Sequence, residues 1–373
     1  MFLFAALLVP LVSTVAPVLA QVPHSGVTCN ATAPCPSEYP CCSEYGFCGD
    51  GYFCLGGCDP ISSHTLDSCK PSPICESFNY TLSDTSRILT NSTHFNGNAS
   101  QYDWVIEQGS IFNITSDGEA AIALTLTEKD GGTLLSSTRY VHYGRITARL
   151  KTGRWAGVVT AFITMSSVKD EIDWEFPGNA TTEGQTNLFW QGLIPETTNG
   201  VTEKGLTDTY SNWHDFTIDW KPDALTFLVD GNITRTIKAS DLTDNTTGVV
   251  HYPNTPSRIQ LSLWPAGIAS EPQGTVQWAG GMINWNDPDY ISAGHFYALF
   301  HSVAVQCNDP TPHNSSVTSY IYGSNSTLDT PTIAFSNAST LINGVGYNKL
   351  SNVNSIQATL LAAFFALIFI CFI

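Results

Sequence analysis

The sequence predicts an all-β protein in which a large sandwich or barrel follows a small disulfide-rich module. Short segments with β-type patterning recur between turn signals over about 230 residues, and no long segment shows helical periodicity. Seven of the eleven cysteines lie between Cys29 and Cys58. This density indicates a small fold that is held by disulfides rather than by a hydrophobic core.

Composition limits the functions that are open to the chain. Of its 373 residues, 43% are hydrophobic, which excludes a disordered protein. Lys and Arg number 15 against 32 Asp and Glu, so the formal net charge is −17. A chain this acidic, without a basic cluster, is not expected to bind nucleic acid. The many cysteines and Asn-x-Ser/Thr triplets indicate the secretory route.

Residues 1–20 form an apolar stretch without charged side chains that ends in Val-Leu-Ala. An apolar core before small residues is typical of a signal peptide, although no Lys or Arg precedes it here. A membrane anchor is the alternative, and the prolines that interrupt the stretch argue against it.

The cysteine-dense module is predicted over residues 21–60, followed by a Pro-, Ser- and Cys-containing linker over 61–76. Zinc binding is the rival explanation for the cysteines. Vicinal Cys41 and Cys42 fit tetrahedral ligation poorly, and the expected compartment is oxidising, so disulfides are favoured.

The large β domain is predicted over residues 77–307. Asp230-Gly231 is a hairpin-turn signal within it. The clearest strand candidates are Arg145–Leu150, Val158–Met165, Glu171–Phe176, Phe216–Trp220, Leu225–Val229, Arg258–Trp264 and Phe296–Gln306.

The most informative segment is residues 171–176, with the sequence EIDWEF. Successive side chains of a strand point to opposite faces, so Glu171, Asp173 and Glu175 share one face and the apolar residues share the other. Acidic residues repel each other in such a row and are poor strand formers. A solvated acidic face is the alternative, but the alternation with large apolar residues predicts a central strand.

This row suits chemistry that needs two carboxyl groups. At ~3.3 Å per residue, the Cα atoms of Glu171 and Glu175 lie ~13 Å apart. On a curved strand, long side chains that lean inward bring the carboxyls near the ~5–5.5 Å used by retaining glycosidases. Asp173 between them can hydrogen-bond Glu171. Repulsion between like charges raises one pKa, so one acid stays protonated while its neighbour ionises.

The C-terminal part of the chain predicts a stalk and a lipid-attachment signal. Residues 308–343 are rich in Ser, Thr, Asn and Pro, which is typical of a glycosylated stalk. Small residues, a polar spacer and an apolar tail make 344–373 a GPI-attachment signal, with the modified residue at Gly344 or Asn343. A tail-anchored helix is the alternative reading of the tail.

The predicted mature chain carries eleven Asn-x-Ser/Thr triplets, which in a GPI-type precursor are interpreted as glycosylation sites. They are Asn30, Asn79, Asn91, Asn98, Asn113, Asn179, Asn232, Asn245, Asn314, Asn325 and Asn337.

The run CCSEYGFCG at residues 41–49 resembles the hevein-type chitin-binding domain, carbohydrate-binding module family 18, and the resemblance covers about residues 27–60. It implies a site for N-acetylglucosamine in which a hydroxyl orients the acetamide and rings stack on the sugar. The residues carried over are Ser43, Tyr45 and Phe47, completed by Tyr52 or Phe53.

The same resemblance implies three disulfides, namely Cys29–Cys42, Cys35–Cys48 and Cys41–Cys54. Cys58 then needs a partner, and Cys69 is nearest in sequence. That pair leaves Cys75 with Cys307, but a disulfide between Cys69 and Cys75 is equally plausible.

The motif at residues 171–176 resembles the signature E-[ILV]-D-x-E-[FLI] of glycoside hydrolase family 16, over about residues 77–306. The resemblance implies a curved β-jelly-roll with a sugar groove on its concave face. It also implies Glu171 as the nucleophile, Asp173 as its helper and Glu175 as the acid/base.

Three further runs narrow the resemblance to the fungal Crh wall enzymes, which cross-link chitin to β-glucan by transglycosylation. They are DEIDWEF at 170–176, TNLFW at 186–190 and GTVQWAGG at 274–281. The order of signal peptide, hevein-type module, family 16 domain, stalk and GPI signal resembles the same enzymes.

Aromatic residues outside the motif are candidates for sugar subsites, because sugars stack on rings. The favoured groove residues are Trp190, Trp264 and Trp278, and weaker candidates are Tyr143, Arg145 and Gln260. The nine histidines are scattered without an H-x-x-x-H pair, so no zinc site or other metal is expected. The sequence has no P-loop or dinucleotide-binding fingerprint, and no cofactor is expected.

Three functions from different classes are weighed. The first is a retaining transglycosylase that cleaves chitin and transfers it to β-glucan. The second is a plain hydrolase of β-glucan or chitin, and the third is a non-catalytic chitin-binding wall protein. The expected partners are chitin, β-glucan and the membrane through a GPI lipid. We expect a monomer at the outer face of the plasma membrane or in the cell wall.

Overall fold

The computed structural model describes residues 24–310 and 314–342. The predicted signal peptide and GPI-attachment signal, with Asn343 and Gly344, lie outside these ranges. Within the described ranges, no helix is long and apolar enough to cross a membrane.

Strands make up most of the regular structure, as the β-type patterning predicts. The first four are β1 (His24–Thr28), β2 (Cys41–Cys42), β3 (Phe47–Gly49) and β4 (Ser72–Pro73). The strands of the large domain are β5 (Phe78–Thr81), β6 (Ile88–Leu89), β7 (Trp104–Gln108), β8 (Ile111–Ser116), β9 (Glu119–Leu126), β10 (Thr133–Val141), β11 (Gly144–Lys151), β12 (Val158–Ser166), β13 (Glu171–Pro177), β14 (Glu183–Phe189), β15 (Val201–Lys204), β16 (His214–Trp220), β17 (Ala224–Val229), β18 (Asn232–Lys238), β19 (Ser257–Pro265) and β20 (Phe296–Cys307). Two strands follow it, β21 (Ser319–Tyr322) and β22 (Ile333–Ser336).

Helices are few and short in the described part of the chain. They are α1 (Gln273–Trp278), α2 (Pro288–Ala293) and the 3₁₀ segments Gly51–Cys54, Thr85–Arg87, Ser92–His94 and Ala239–Leu242.

Two large sheets pack face to face. The site sheet has the strand order β15-β14-β13-β12-β19-β10-β7-β6, and the back sheet has the order β18-β17-β16-β11-β20-β9-β8, with β5 paired to β20. Their inner faces bury one hydrophobic core, which includes Trp104, Trp174, Trp220 and Phe296. The predicted all-β sandwich is confirmed, and each strand predicted from the sequence is present within two residues at either end.

The hairpin between β17 and β18 turns at Asp230 and Gly231, as predicted. Both residues have positive φ, 50° and 79°, and Val229 pairs with Asn232 across the turn. Two left-handed residues give a turn whose twist matches that of the strands, which explains the choice of Asp-Gly.

The disulfide-rich module precedes the sandwich and contains a small sheet with the order β1-β3-β2. The three pairs that the hevein resemblance implies are formed, and Cys58 pairs with Cys69 rather than leaving Cys69 for Cys75. The disulfides are Cys29–Cys42, Cys35–Cys48, Cys41–Cys54, Cys58–Cys69 and Cys75–Cys307.

The segment predicted as a linker, 61–76, is folded against the module. The amide of His64 donates to the carbonyl of Pro40, and the amide of Lys70 donates to the carbonyl of Cys54, both at 2.8 Å. These bonds extend the module beyond the predicted boundary at residue 60. We therefore take the disulfide-rich module as residues 24–75.

The C-terminal segment also differs from its prediction as a stalk. Within 314–342, β21 pairs with β22 and with β4. Tyr320 is only 2% exposed and belongs to the main core, and Ile333 and Phe335 pack against that core. A few alternating apolar residues therefore fold this segment onto the body, although its overall composition is polar.

Candidate active site

Strand β13 lies inside the site sheet, between β12 and β14, and all seven of its residues are buried. Ile172, Trp174 and Phe176 point into the core between the two sheets. By the alternation of a strand, the three acids point to the opposite side, here called the carboxylate face. Glu171, Asp173 and Glu175 are 5%, 2% and 4% exposed. Because the three acids are buried, the alternative of a solvated acidic strand face is wrong. Burying carboxyl groups to this extent costs free energy.

Cross-strand register defines what surrounds the acids, because directly opposed residues share a face. The neighbours on β12 are Met165, Ile163 and Ala161, which oppose Glu171, Asp173 and Glu175 in that order. On β14 the neighbours are Phe189, Asn187 and Gln185. The row of acids thus lies between an apolar strand and a partly polar one.

Burial raises the pKa values of Glu171 and Glu175 above the usual range for glutamate. For Glu171, a hydrogen bond from Asp173 and the charge of Lys169 act in the opposite direction. For Glu175, the negative charge of Glu171 raises the pKa further, while a hydrogen bond from Trp264 lowers it. Glu171 thus has two groups that favour its ionised form, and Glu175 has a neighbour that favours its protonated form.

Trp264 and Trp278 lie on the carboxylate face near Glu175. They belong to an apolar cluster with Val159 and Ala161 of β12, apart from the main core. The two indole rings stack with centroids 6.1 Å apart and planes 24° from parallel. Both are predicted groove residues; Trp278 is partly exposed, whereas Trp264 is fully buried.

Gln260 also lies on the carboxylate face. It opposes Ile163 of β12, which in turn opposes Asp173. Its side chain is 1% exposed, and its Nε2 donates to Ser136 Oγ at 3.3 Å. Gln260 thus lies two strands from the acids.

Trp190, Tyr143 and Arg145 have other surroundings. Trp190 follows the end of β14 and stacks on His251 at 4.5 Å. Tyr143 lies in the main core, where its ring packs on Trp220. Tyr143 and Arg145 belong to the β10–β11 turn and to β11 of the back sheet, so neither is next to the carboxylates.

Asp170, immediately before the acidic row, is a residue whose role the sequence analysis does not predict. It is fully buried and accepts hydrogen bonds from the amides of Gln191, Asn254 and Thr255 and from the Thr255 hydroxyl, at 2.6–3.0 Å. Burial raises its pKa to about 6, against the effect of these bonds. Asp170 therefore ties two loops to the start of β13.

The candidate sugar-binding residues of the module, Ser43, Tyr45, Phe47 and Tyr52, are each partly buried. With groups from the large domain, among them Phe95 and Glu107, they line a narrow cleft of about 70 Å³. The amide of Phe47 donates to the hydroxyl of Ser43 at 3.3 Å. This face of the module is thus turned toward the large domain.

The module contacts the site sheet through charged groups. Arg258 of β19 donates to both carboxylate oxygens of Glu44, at 2.9 and 3.0 Å, and to Glu107 Oε1 at 2.8 Å. All three side chains are at least 92% buried. No sequence motif signals this triad.

Three buried sulfur atoms of the module, of Cys29, Cys35 and Cys42, lie within 4.8 Å of one another. Each is bonded in a disulfide, so none is a thiolate that could bind a metal.

Of the eleven Asn-x-Ser/Thr asparagines, nine are exposed, while Asn91 and Asn98 are partly buried.

The chain is similar to known proteins in both sequence and fold. The family model for glycosyl hydrolases family 16 matches residues 98–280, which include the acidic row. Crh-like protein 2 of Aspergillus fumigatus is 41% identical over 300 residues, which cover 80% of this chain and 67% of that protein. Crh-like protein 3 of Botryotinia fuckeliana is 43% identical over 316 residues, which cover 84% and 69%.

Among solved structures, that of a Crh5 transglycosylase in complex with NAG is similar, with a TM-score of 0.56 and 25% identity. The match covers 72% of this chain and 95% of that one. By its acidic row, its sandwich and these relatives, the chain belongs to the Crh-like proteins of glycosyl hydrolases family 16.

Proposed function

We propose that the protein is a retaining transglycosylase that cleaves chitin and transfers the released chain to β-glucan. The observation that carries the proposal is the row of three buried acids on one strand face, with Glu171 and Glu175 at its ends. A protein that only binds sugar has no need to bury such a row, which costs free energy. Similarity to a transglycosylase supports transfer rather than hydrolysis.

In the first step, the Glu171 carboxylate attacks the anomeric carbon of the donor while Glu175 gives its proton to the glycosidic oxygen. The bond between that oxygen and the anomeric carbon breaks, and a glycosyl ester on Glu171 forms. Asp173 hydrogen-bonds Glu171 and so orients it. Glu175 keeps its proton because burial and the charge of Glu171 raise its pKa.

In the second step, Glu175 is ionised and accepts the proton of an acceptor hydroxyl. The acceptor oxygen attacks the anomeric carbon and displaces Glu171, so two inversions retain the configuration. A glucan hydroxyl as acceptor gives a cross-link, whereas water gives hydrolysis. Trp278, which stacks on the buried Trp264 beside Glu175, is the candidate surface for a sugar ring.

The module supports chitin as one partner. Its Ser43, Tyr45, Phe47 and Tyr52 match the hydroxyl and ring positions of hevein-type sites in sequence, and in the structure they line the cleft toward the large domain. The predicted signal peptide and the predicted GPI-attachment signal support a location on the outer face of the plasma membrane or in the wall. The enzyme is proposed to act there as a monomer without a cofactor.

The test incubates the secreted ectodomain, residues 21–343, with chitin oligomers and a fluorescent laminarin-type acceptor. Reducing ends and label transfer are followed together. We expect the label in longer, mixed chains, and a loss of at least 100-fold in Glu175→Gln, the size typical of a missing acid/base. The matched control is Glu196→Gln, an exposed glutamate that should keep full activity.

Two outcomes contradict the proposal in different ways. Reducing ends that rise without label transfer make the protein a hydrolase. An ectodomain that binds chitin but never turns over, with Glu175→Gln indistinguishable from it, makes the protein a binding protein.

A further inference from the structure

The disulfide-rich module docks beside the acidic row. Arg258, which holds Glu44 of the module, opposes Met165 of β12, and Met165 opposes Glu171. Tyr140 of β10 opposes Arg258 in the same cross-strand line, and its hydroxyl accepts from the amide of Gly57 at 2.8 Å. Since adjacent strands are ~4.8 Å apart, Glu171 and Arg258 are separated by ~10 Å across the sheet.

Lys169 links the module to the acidic row. It lies in the turn between β12 and β13, two residues before Glu171. Its backbone has φ +70°, an unusual conformation for a residue with a side chain, and its carbonyl accepts from the amide of Gly192 at 2.8 Å. Its Nζ donates to the carbonyl oxygen of Glu44 at 2.6 Å.

The charges around Lys169 come from both sides of the interface. Burial lowers the pKa of Lys169, and the charge of Arg258 acts in the same direction, while Glu44 and Asp59 of the module and Glu171 of β13 act against them and favour the charged form. Two of the three carboxylates that favour a charged Lys169 therefore belong to the module. Burial raises the pKa of Glu171 itself, and Asp173 and Lys169 lower it. Glu171 in turn raises the pKa of the neighbouring Glu175.

We infer that Lys169, held against the module by the Glu44 carbonyl, is a positioning residue that favours the ionised, attacking form of the nucleophile Glu171. This inference rests on the proposed function. It gives the module a second role besides the proposed binding of chitin, because the Glu44 carbonyl fixes the side chain of a residue that lies two positions before Glu171. Lys169 acts through Glu171 and does not itself react.

The physical consequence is a pH dependence of the first step. An opposite charge near a carboxylate lowers its pKa, by 1–3 units at close range. Without the charge of Lys169, Glu171 ionises only at higher pH. The acid limb of the pH profile then moves upward, whereas a purely structural role for Lys169 lowers the rate equally at every pH.

The test isolates Glu171 by removing the acid/base. In a Glu175→Ala background, an aryl chitobioside donor needs no protonation of its leaving group, and azide can capture the glycosyl-enzyme. The pH dependence of azide adduct formation then reports the ionisation of Glu171. We expect the acid limb to move up by about one pH unit in the Lys169→Met variant. The Lys169→Arg variant, which keeps the positive charge, should have its acid limb at the wild-type position.

The control is Lys204→Met on exposed β15, which should leave the acid limb in place. Thermal unfolding of each variant shows whether it is folded at every pH used. An unmoved limb in a folded Lys169→Met variant, or equal shifts in Lys169→Met and Lys169→Arg, overturns the inference. A wild-type ectodomain without any transfer or hydrolysis overturns the proposed function instead.

Discussion

Trp264 and Trp278 stack on each other beside Glu175, yet they differ in what they offer to a sugar. Trp264 is fully buried, and its indole hydrogen-bonds Glu175. Trp278 is partly exposed at the end of α1. A sugar can therefore stack on Trp278, while Trp264 supports that ring from below and holds the acid/base.

This difference predicts opposite effects of two similar substitutions. Trp278→Ala should raise the KM for oligosaccharide about fivefold, because one ring–sugar contact is worth ~1 kcal/mol, and should change stability little. Trp264→Ala should cost ~3–5 kcal/mol of unfolding free energy, as for other buried tryptophans. Initial rates measure the KM of each variant, and urea denaturation measures its unfolding free energy. Equal effects on KM and stability from the two variants contradict this division of roles.

At the scale of the element, the start of β13 is fixed by Asp170, the residue before the strand, in addition to the backbone hydrogen bonds with the neighbouring strands. The four donors of Asp170 come from the loops that follow β14 and precede β19. These loops carry Trp190 and His251, whose rings stack. The start of the acidic row and the two loops thus form one unit.

Asp170→Asn should break this unit, because an amide group has one acceptor oxygen and turns two N–H donors toward partners that are themselves donors. We expect a loss of ~3 kcal/mol in unfolding free energy, since hydrogen bonds to charged groups contribute ~1.5–3 kcal/mol each and more than one is lost. Urea denaturation measures the loss, with the exposed Asp223→Asn as the matched control. Equal stability of the two variants contradicts the role of Asp170.

Elements with a strict local pattern could be predicted from sequence. The alternation over 171–176 was sufficient to place three acids on one face of a central strand, because the period of a strand is two. Asp170 lies next to that pattern, but its partners are 21 to 85 residues away and leave no local trace. The strands of 314–342 were missed because their few apolar residues are diluted by Ser, Thr and Asn.

At the scale of the whole molecule, the module and the sandwich are joined by buried charge as well as by chain connection. Glu44, Arg258 and Glu107 are distant in sequence, and no motif links the three. The separate folds of the module and the sandwich were predictable from cysteine density and strand patterning. Their contact was not, because it depends on side chains that meet only after both parts have folded.

Docking by a buried triad makes the two parts depend on each other for stability. Removing Arg258 leaves two buried carboxylates without their shared partner, and breaking a buried ion pair in this way costs ~3–5 kcal/mol. Arg258→Met should therefore destabilise the whole protein. All nine tryptophans lie outside the module, so their fluorescence reports the sandwich, while the rate of disulfide reduction by a mild thiol reports the module.

We expect Arg258→Met to lower the denaturation midpoint of the sandwich and to accelerate reduction of the module's disulfides. The matched control is Arg149→Met on the back sheet, where Arg149 pairs with Glu119 near the surface and both side chains are about 30% exposed. Surface pairs contribute ~0–1 kcal/mol, so this control should change little. If Arg258→Met changes only the reduction rate, the module is attached to the sandwich without stabilising it.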